Sequence, residues 1–199
     1  MTSSFFAQIG NDINGEAAND NSGWSVSLSS DGNVVAIGAT NNNENGNNSG
    51  SVRIYKKVNN TWSQVGSDID GEAAEDELGY SVSLSSDGNT VAVGAHQNLT
   101  GNGYVRIYQN VNNTWVQVGS DIDGEDANSF SGRSVSLSAD GNIVAIGADW
   151  NDGNGTDSGH VRIYENVDNI WTQVGSDIDG EAAGDRSGWA VSLLSLIHI

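Results

Sequence analysis

Apolar residues in this chain alternate with small polar ones in short runs, and the runs return in the same order. Residues 80–119 show one round. Ser81-Val82-Ser83-Leu84-Ser85 alternates polar with apolar, as a half-buried strand does. Asp87-Gly88 follows, a hairpin signal, because glycine accepts positive φ. Thr90-Val91-Ala92-Val93-Gly94-Ala95 is almost all apolar or small and predicts a strand buried on both faces. A glycine- and asparagine-rich loop leads to a third strand, Tyr104-Val105-Arg106-Ile107-Tyr108. Asn112-Asn113 turns the chain into a fourth, Thr114-Trp115-Val116-Gln117-Val118-Gly119. No helical apolar period occurs, so the pattern predicts essentially no helix.

The same phrase is written three times and begun a fourth. Trp24, Tyr80, Arg133 and Trp189 open the "SVSL"-like runs. Phe6, Trp62, Trp115 and Trp171 open the "QVG"-like runs at matching intervals. A period of about 55 residues makes each copy one supersecondary unit that buries its faces only against its neighbours. Four antiparallel strands repeated radially form a β-propeller blade, whereas the rungs of a β-solenoid are much shorter. The expected fold class is therefore all-β: a β-propeller fragment of about three four-stranded antiparallel blades plus a partial blade. Residues 1–5 are a lead-in. Repeats fill 6–193, in units of about 6–61, 62–114, 115–170 and a partial 171–193. Known propellers close with ~4–8 blades, so an arc of this size exposes apolar flanks and is expected to self-associate.

The run Leu194-Ser195-Leu196-Ile197-His198-Ile199 breaks the pattern where the other copies continue "SSDGN" or "SADGN". It reads as the translation of a common transposase sequencing adapter. Residues 194–199 are therefore expected to be read-through, with the natural chain continuing past Leu193. The alternative is a genuine apolar terminal strand.

Composition narrows the partners. The 199 residues carry 26 acids against 7 bases, a net charge of −19. Nucleic acid and anionic membrane both need a positive footprint, so neither is expected as a partner. No apolar stretch is long enough for membrane insertion. With no cysteine, disulfides and thiolate metal sites are excluded.

Three pairs of motifs resemble the FG-GAP repeat family, whose propeller repeats also occur in integrin α-subunits. They are Gly23-Trp24-Ser25-Val26 with Ala36-Ile37-Gly38-Ala39, Gly79-Tyr80-Ser81-Val82 with Val91-Ala92-Val93-Gly94-Ala95, and Gly132-Arg133-Ser134-Val135 with Ala145-Ile146-Gly147-Ala148. The phrasing is similar to that of a bacterial secreted subtype. The resemblance implies an extracellular or cell-surface location and a ligand-binding loop face. Two departures stand out. The proline of the motif is Thr40, His96 or Asp149 here. The calcium loop of integrin repeats is replaced by bare turns at Asp31-Gly32, Asp87-Gly88 and Asp140-Gly141, so calcium binding does not carry over from the family. The WD repeat, a rival, has a period of ~40–45 residues and marks that are missing here.

In an up-and-down blade the loops after the second and fourth strands share a face. The fourth-strand loops hold most of the acids, so that face is expected to be acidic and to meet a protein or glycan. The candidate contacts are Asp68, Asp70, Asp123, Asp179 and the unrepeated Trp150. No cofactor is required by the sequence. Calcium is the one cation the loops suit, because hard oxygens recur at offsets 1, 3, 5 and 9. They are Asp12, Asn14, Glu16 and Asp20; Asp68, Asp70, Glu72 and Asp76; and Asp177, Asp179, Glu181 and Asp185. The third loop breaks the set with Ser129. The alternative is a turn in which an aspartate caps the backbone and the rest are solvated.

Arg53, Arg106 and Arg162 share one position and are expected to pair with nearby acids. Trp62, Trp115 and Trp171 are expected to pack between blades. Catalysis finds little support, because His96 and His160 occupy different places in their units and no nucleophile–base pattern accompanies them. The expected function is a non-catalytic adhesion or binding module. The alternative is a structural propeller accessory to a larger secreted enzyme.

Overall fold

The computed structural model describes residues 7–97 and 101–194. The lead-in at 1–5, the opener Phe6 and tail residues 195–199 lie outside the described residues. Within them the fold is three antiparallel sheets in sequence and no helix. The first holds β1 (Ser22–Leu28), β2 (Val34–Ala39), β3 (Ser51–Val58), β4 (Thr61–Gln64) and β5 (Ile69–Asp70). The second holds β6 (Ser81–Leu84), β7 (Thr90–Ala95), β8 (Tyr104–Val111), β9 (Thr114–Gln117) and β10 (Ile122–Asp123). The third holds β11 (Ser134–Leu137), β12 (Ile143–Ala148), β13 (His160–Val167), β14 (Ile170–Gln173) and β15 (Ile178–Asp179).

The fourth strand is more complex than its sequence pattern. It splits into two pieces, β4 and β5, which both pair with β3, and the split recurs in each sheet. Gly66, Gly119 and Gly175 sit at the break with φ of 74°, 76° and 76°. The left-handed turn lets the chain leave the sheet and rejoin it two residues before the next glycine. The segment expected to be wholly loop therefore begins inside the sheet, and Ile69 and Ile122 are only 5% exposed.

The innermost strands β1, β6 and β11 lie side by side, so the sheets radiate from a common axis. The central strands β2 and β7 are buried along their whole length, as the unbroken apolar pattern predicts. One core lies between the first two sheets, where Ala36, Val52 and Ile54 meet Leu84, Val91 and Val93. A second lies between the next two, where Val105 and Ile107 meet Leu137, Val144 and Ile146. Ser25, Ser81 and Ser134 donate across each junction to the carbonyls of Gly79, Gly132 and Gly188. Those carbonyls approach Gly38, Gly94 and Gly147 so closely that a Cβ there would collide with them. The motif glycine is thus a junction requirement. The tryptophans that open the fourth strand also cross junctions: Trp62, Trp115 and Trp171 donate Nε1 to the carbonyls of Ile9, Val65 and Val118. This is the inter-blade role expected of them.

Candidate functional site

The loops after the second and fourth strands pack directly on one another. Asn45 Nδ2 donates to the Gly71 carbonyl at 2.9 Å, and Asn154 Nδ2 to the Gly180 carbonyl at 2.8 Å. Backbone bonds from Glu75, Glu77 and Leu78 to the carbonyls of Asn47, Asn48 and Ser49 complete the contact. The repeated arginines lock this layer to the preceding unit. Arg106 forks onto both oxygens of Asp121 at 2.9 and 2.6 Å and reaches Glu72 at 2.9 Å. Arg53 donates to the Asn14 carbonyl, and Arg162 to the Asp123 carbonyl with Glu125 at 3.4 Å. All three are 5–7% exposed, as their expected structural role requires.

Most of the side chains at the calcium offsets have separate partners, although Asp68 Oδ2 and Asp70 Oδ1 are buried without one. Asp12, Asp68 and Asp177 each accept from a glutamine four residues earlier: Gln8, Gln64 and Gln173. The Asn14 carbonyl is the acceptor for Arg53, Glu16 accepts from Asn42, and Glu72 pairs with Arg106. Asp20 and Asp185 cap their own turns through the amides of Ala17 and Ala182. Asp76 takes the amides of Glu72 and Ala73 and the hydroxyl of Tyr104. Asp179 pairs with His160 in the sheet register, and the Glu181 carbonyl accepts from Asn154. Glu125, His160 and Asp177 are the one group among the described residues that brings three metal-binding atoms within 4.8 Å of one another. Among the described residues the carboxylates of the four-offset sets do not come together as a calcium shell needs.

Asp70 keeps a buried Oδ1 with no hydrogen-bond partner. Burial first, then the Asp68 and Glu44 carboxylates, push its carboxyl above the usual range. Burial and Asp68 likewise raise Glu16, against the pull of Arg53. Asp123 is exposed, and its carbonyl holds Arg162.

Trp150 is 37% exposed and belongs to a layer of rings and cations that runs across units. Tyr80 stacks on His96 with centroids 3.6 Å apart, and Phe130 meets His96 at 5.6 Å and Trp150 edge-on at 5.5 Å. Arg186 lies 4.4 Å over Trp150, and Arg133 lies 4.0 Å over Trp189. Beneath them Asp149 is fully buried, with Arg133 at 3.4 Å and Arg186 at 3.9 Å. Burial raises its carboxyl, opposed by both guanidiniums. Burial, aided by Arg133, lowers the His96 imidazole to about 3, so it is neutral at physiological pH.

Sequence reasoning singled out Trp150 and missed this layer. The available signal was that residues here differ between units whose framework positions repeat. It also missed the Glu125–His160–Asp177 group, where histidine replaces Ser51 and Tyr104 at one repeat position. On the turn side, cavities of 230 and 170 Å³ sit at the two blade junctions beside Trp115 and Trp171.

Radiating four-stranded antiparallel sheets about a common axis define a β-propeller arc. Residues 14–55 match the model of the FG-GAP repeat, which supports the family read from the motifs. Solved propeller-like structures agree in fold. A putative 6-phosphogluconolactonase from Bacteroides uniformis is 14% identical with a TM-score of 0.54, over 77% of this chain and 39% of that one. A eukaryotic initiation factor is 13% identical with a TM-score of 0.55, over 86% and 35%. Sqt1 of Saccharomyces cerevisiae is 13% identical with a TM-score of 0.50, over 79% and 36%. The chain spans less than two-fifths of each, and at these identities the likeness is one of fold. No curated protein matches the chain.

Proposed function

We propose that this chain is a non-catalytic binding module of an extracellular or cell-surface protein, which offers its loop face to a protein or glycan. The observation that carries the reading is the packing of the two loop sets in each unit, through Asn45 on Gly71 and Asn154 on Gly180. It supports a continuous surface in which repeated polar loops sit on a rigid sheet, the arrangement on which binding sites are commonly built. The net charge of −19 supports partners other than nucleic acid. Among the described residues no helix is long and apolar enough to cross a membrane.

The test is retention of the whole chain, immobilised, by a panel of extracellular-matrix proteins and a glycan array. Joint substitution of Asp68, Asp70, Asp123 and Asp179 by asparagine should weaken the retained partner by about tenfold, since clustered charges steer and hold a partner. Substitution of Asp31 and Asp87 on the turn side should leave it unchanged. The reverse result would move binding to the other face and end this reading.

A further inference from the structure

We propose that the ring-and-cation layer around Trp150, Trp189, Arg133 and Arg186 is a binding site for an uncharged saccharide. The inference deepens the binding reading above and rests on it. Its first support is where the repeats stop repeating. The framework positions hold the same residue in unit after unit, such as the arginine of "VRIY" and the glycine of "GA". The residues that open the inner runs are Trp24, Tyr80, Arg133 and Trp189. Three places earlier stand Asn21, Glu77, Phe130 and Arg186, all left-handed with φ of 56°, 52°, 53° and 53°. The backbone there is copied while the side chain is not. Thr40, His96 and Asp149 vary in the same way, and Trp150 stands where Asn41 and Gln97 stand elsewhere. A bulky aromatic at positive φ, as at Phe130, is a rare choice for folding alone. These divergent residues are the ones that touch, through the His96–Phe130, Phe130–Trp150, Arg186–Trp150 and Arg133–Trp189 contacts.

The second support is unused hydrogen-bonding capacity. Arg106 spends its guanidinium on Asp121 and Glu72. The guanidiniums of Arg133 and Arg186 make ion-pair approaches of 3.4 to 3.9 Å and no side-chain hydrogen bond among the described residues. Their side chains are 19% and 36% exposed, so their donors are within reach of a ligand. Asp149, with a fully buried side chain, has neither oxygen hydrogen-bonded, and the buried Nδ1 of His96 has no hydrogen bond, the Glu77 carboxylate lying 3.6 Å away. Buried polar groups without partners are uncommon. Here two of them occupy the same repeat position in adjacent units, His96 against the Tyr80 and Phe130 rings and Asp149 against the two arginines. They are positioning residues: Asp149 holds both arginines from below, and His96 carries the stack of Tyr80 and Phe130.

The chemistry of the layer selects the ligand. Arg133 and Arg186 are balanced by Asp149 and by Asp157, which lies 3.6 Å from Arg186. With Glu77 beside His96 as a further acid, the cluster has no excess of positive charge, and in a chain of charge −19 it gives no net attraction to an acidic polymer. Beyond the faces that Arg186 and Arg133 cover, it leaves indole surface at Trp150 and Trp189, 37% and 54% exposed, beside separate donors and acceptors. A pyranose presents the complement, an apolar C–H face ringed by hydroxyls that both donate and accept.

Saturation-transfer NMR on the whole chain tests the assignment, with methyl glycosides of mannose, galactose and N-acetylglucosamine as probes and galacturonate and a tetra-aspartate peptide as parallel arms. Transfer to the C–H protons of at least one neutral glycoside is expected. Trp150→Ala and Arg186→Gln should each weaken it by about tenfold, the usual loss for an anchoring residue. Trp115→Phe, on the turn side, should keep it. Circular dichroism reports whether each variant is folded, and the two loop variants are independent of one another. Transfer to the acidic probes alone, or transfer indifferent to both loop variants, overturns the proposal. Silence from every glycoside, with a protein partner still retained in the adhesion test, sinks this inference and leaves the binding reading standing. Silence in both sinks both.

Discussion

Single residues in this chain do work that their motif names conceal. Gly94 was legible as part of a repeated "GA", yet the sequence could not say why glycine stands there. The reason lies in the next unit: the carbonyl of Gly132 and the hydroxyl of Ser81 occupy the space of a Cβ. Gly94→Ala should therefore cost about 1–3 kcal/mol, the usual cost of overpacking, read as a lower urea midpoint with an unchanged slope. His96 is the second case. It was legible only as a departure from the family's proline, because its burial depends on Phe130 of the following unit. Its folded-state value of about 3 lies below the ordinary 6.5, with burial the main cause and Arg133 the second. A depressed histidine leaves stability intact above its unfolded value and removes it as pH falls toward the folded one. Stability should thus decline from about pH 6.5 downward by up to about 1.4 kcal/mol per unit. His96→Gln should flatten that limb in urea titrations at several pH values, and an unchanged limb would count against a buried neutral imidazole.

At the level of elements, the alternating and unbroken apolar runs located the strands well, because period and burial are local properties. What they hid was the break in the fourth strand. Its cause is a left-handed glycine followed by re-pairing with β3, and the pairing partner lies well back along the chain. The Asp-Gly turns were legible as turns, and the structure adds how they are held. Asp31 accepts from the Ser29 hydroxyl and from the amide and side chain of Asn33, which lower its carboxyl to about 2. In Asp87 burial pulls upward, but the bonds from Ser85 and Asn89 prevail and the value is lowered. In Asp140 the Ser138 hydroxyl and the Asn142 amide lower it again. Carboxyls held down in the folded state stabilise above their unfolded value near 3.8 and cease to do so as pH falls through the folded one. Joint replacement of Asp31, Asp87 and Asp140 by asparagine should leave the fold intact near neutrality and remove this acid limb below about pH 4, seen by circular dichroism. A variant as acid-sensitive as the parent would mean that the limb arises elsewhere.

Over the whole molecule, the period alone announced a radial array, since units of this length bury their faces only against copies of themselves. The same rule makes the two ends of the described arc into complementary flanks. Leu28 is 57% exposed and Val26 56%, whereas Leu84, Leu137 and Val135 at the equivalent places are 7%, 6% and 8% exposed. At the other end Ile178 is 54% exposed, against 5% for Ile69 and Ile122. Covering each such side chain is worth about 1.5–3 kcal/mol. The flank of the first sheet fits what the flank of the third presents, so contact between copies would be head-to-tail rather than two-fold symmetric. The 199-residue chain should therefore sediment as larger species as its concentration rises. Leu28→Asp should block one flank and Ile178→Asp the other, leaving each variant monomeric alone. Mixed, they retain one good flank apiece and should stop at a dimer. A dimer formed by either variant alone would require a symmetric contact instead, and a parent chain monomeric at every concentration would remove the flanks as an interaction surface.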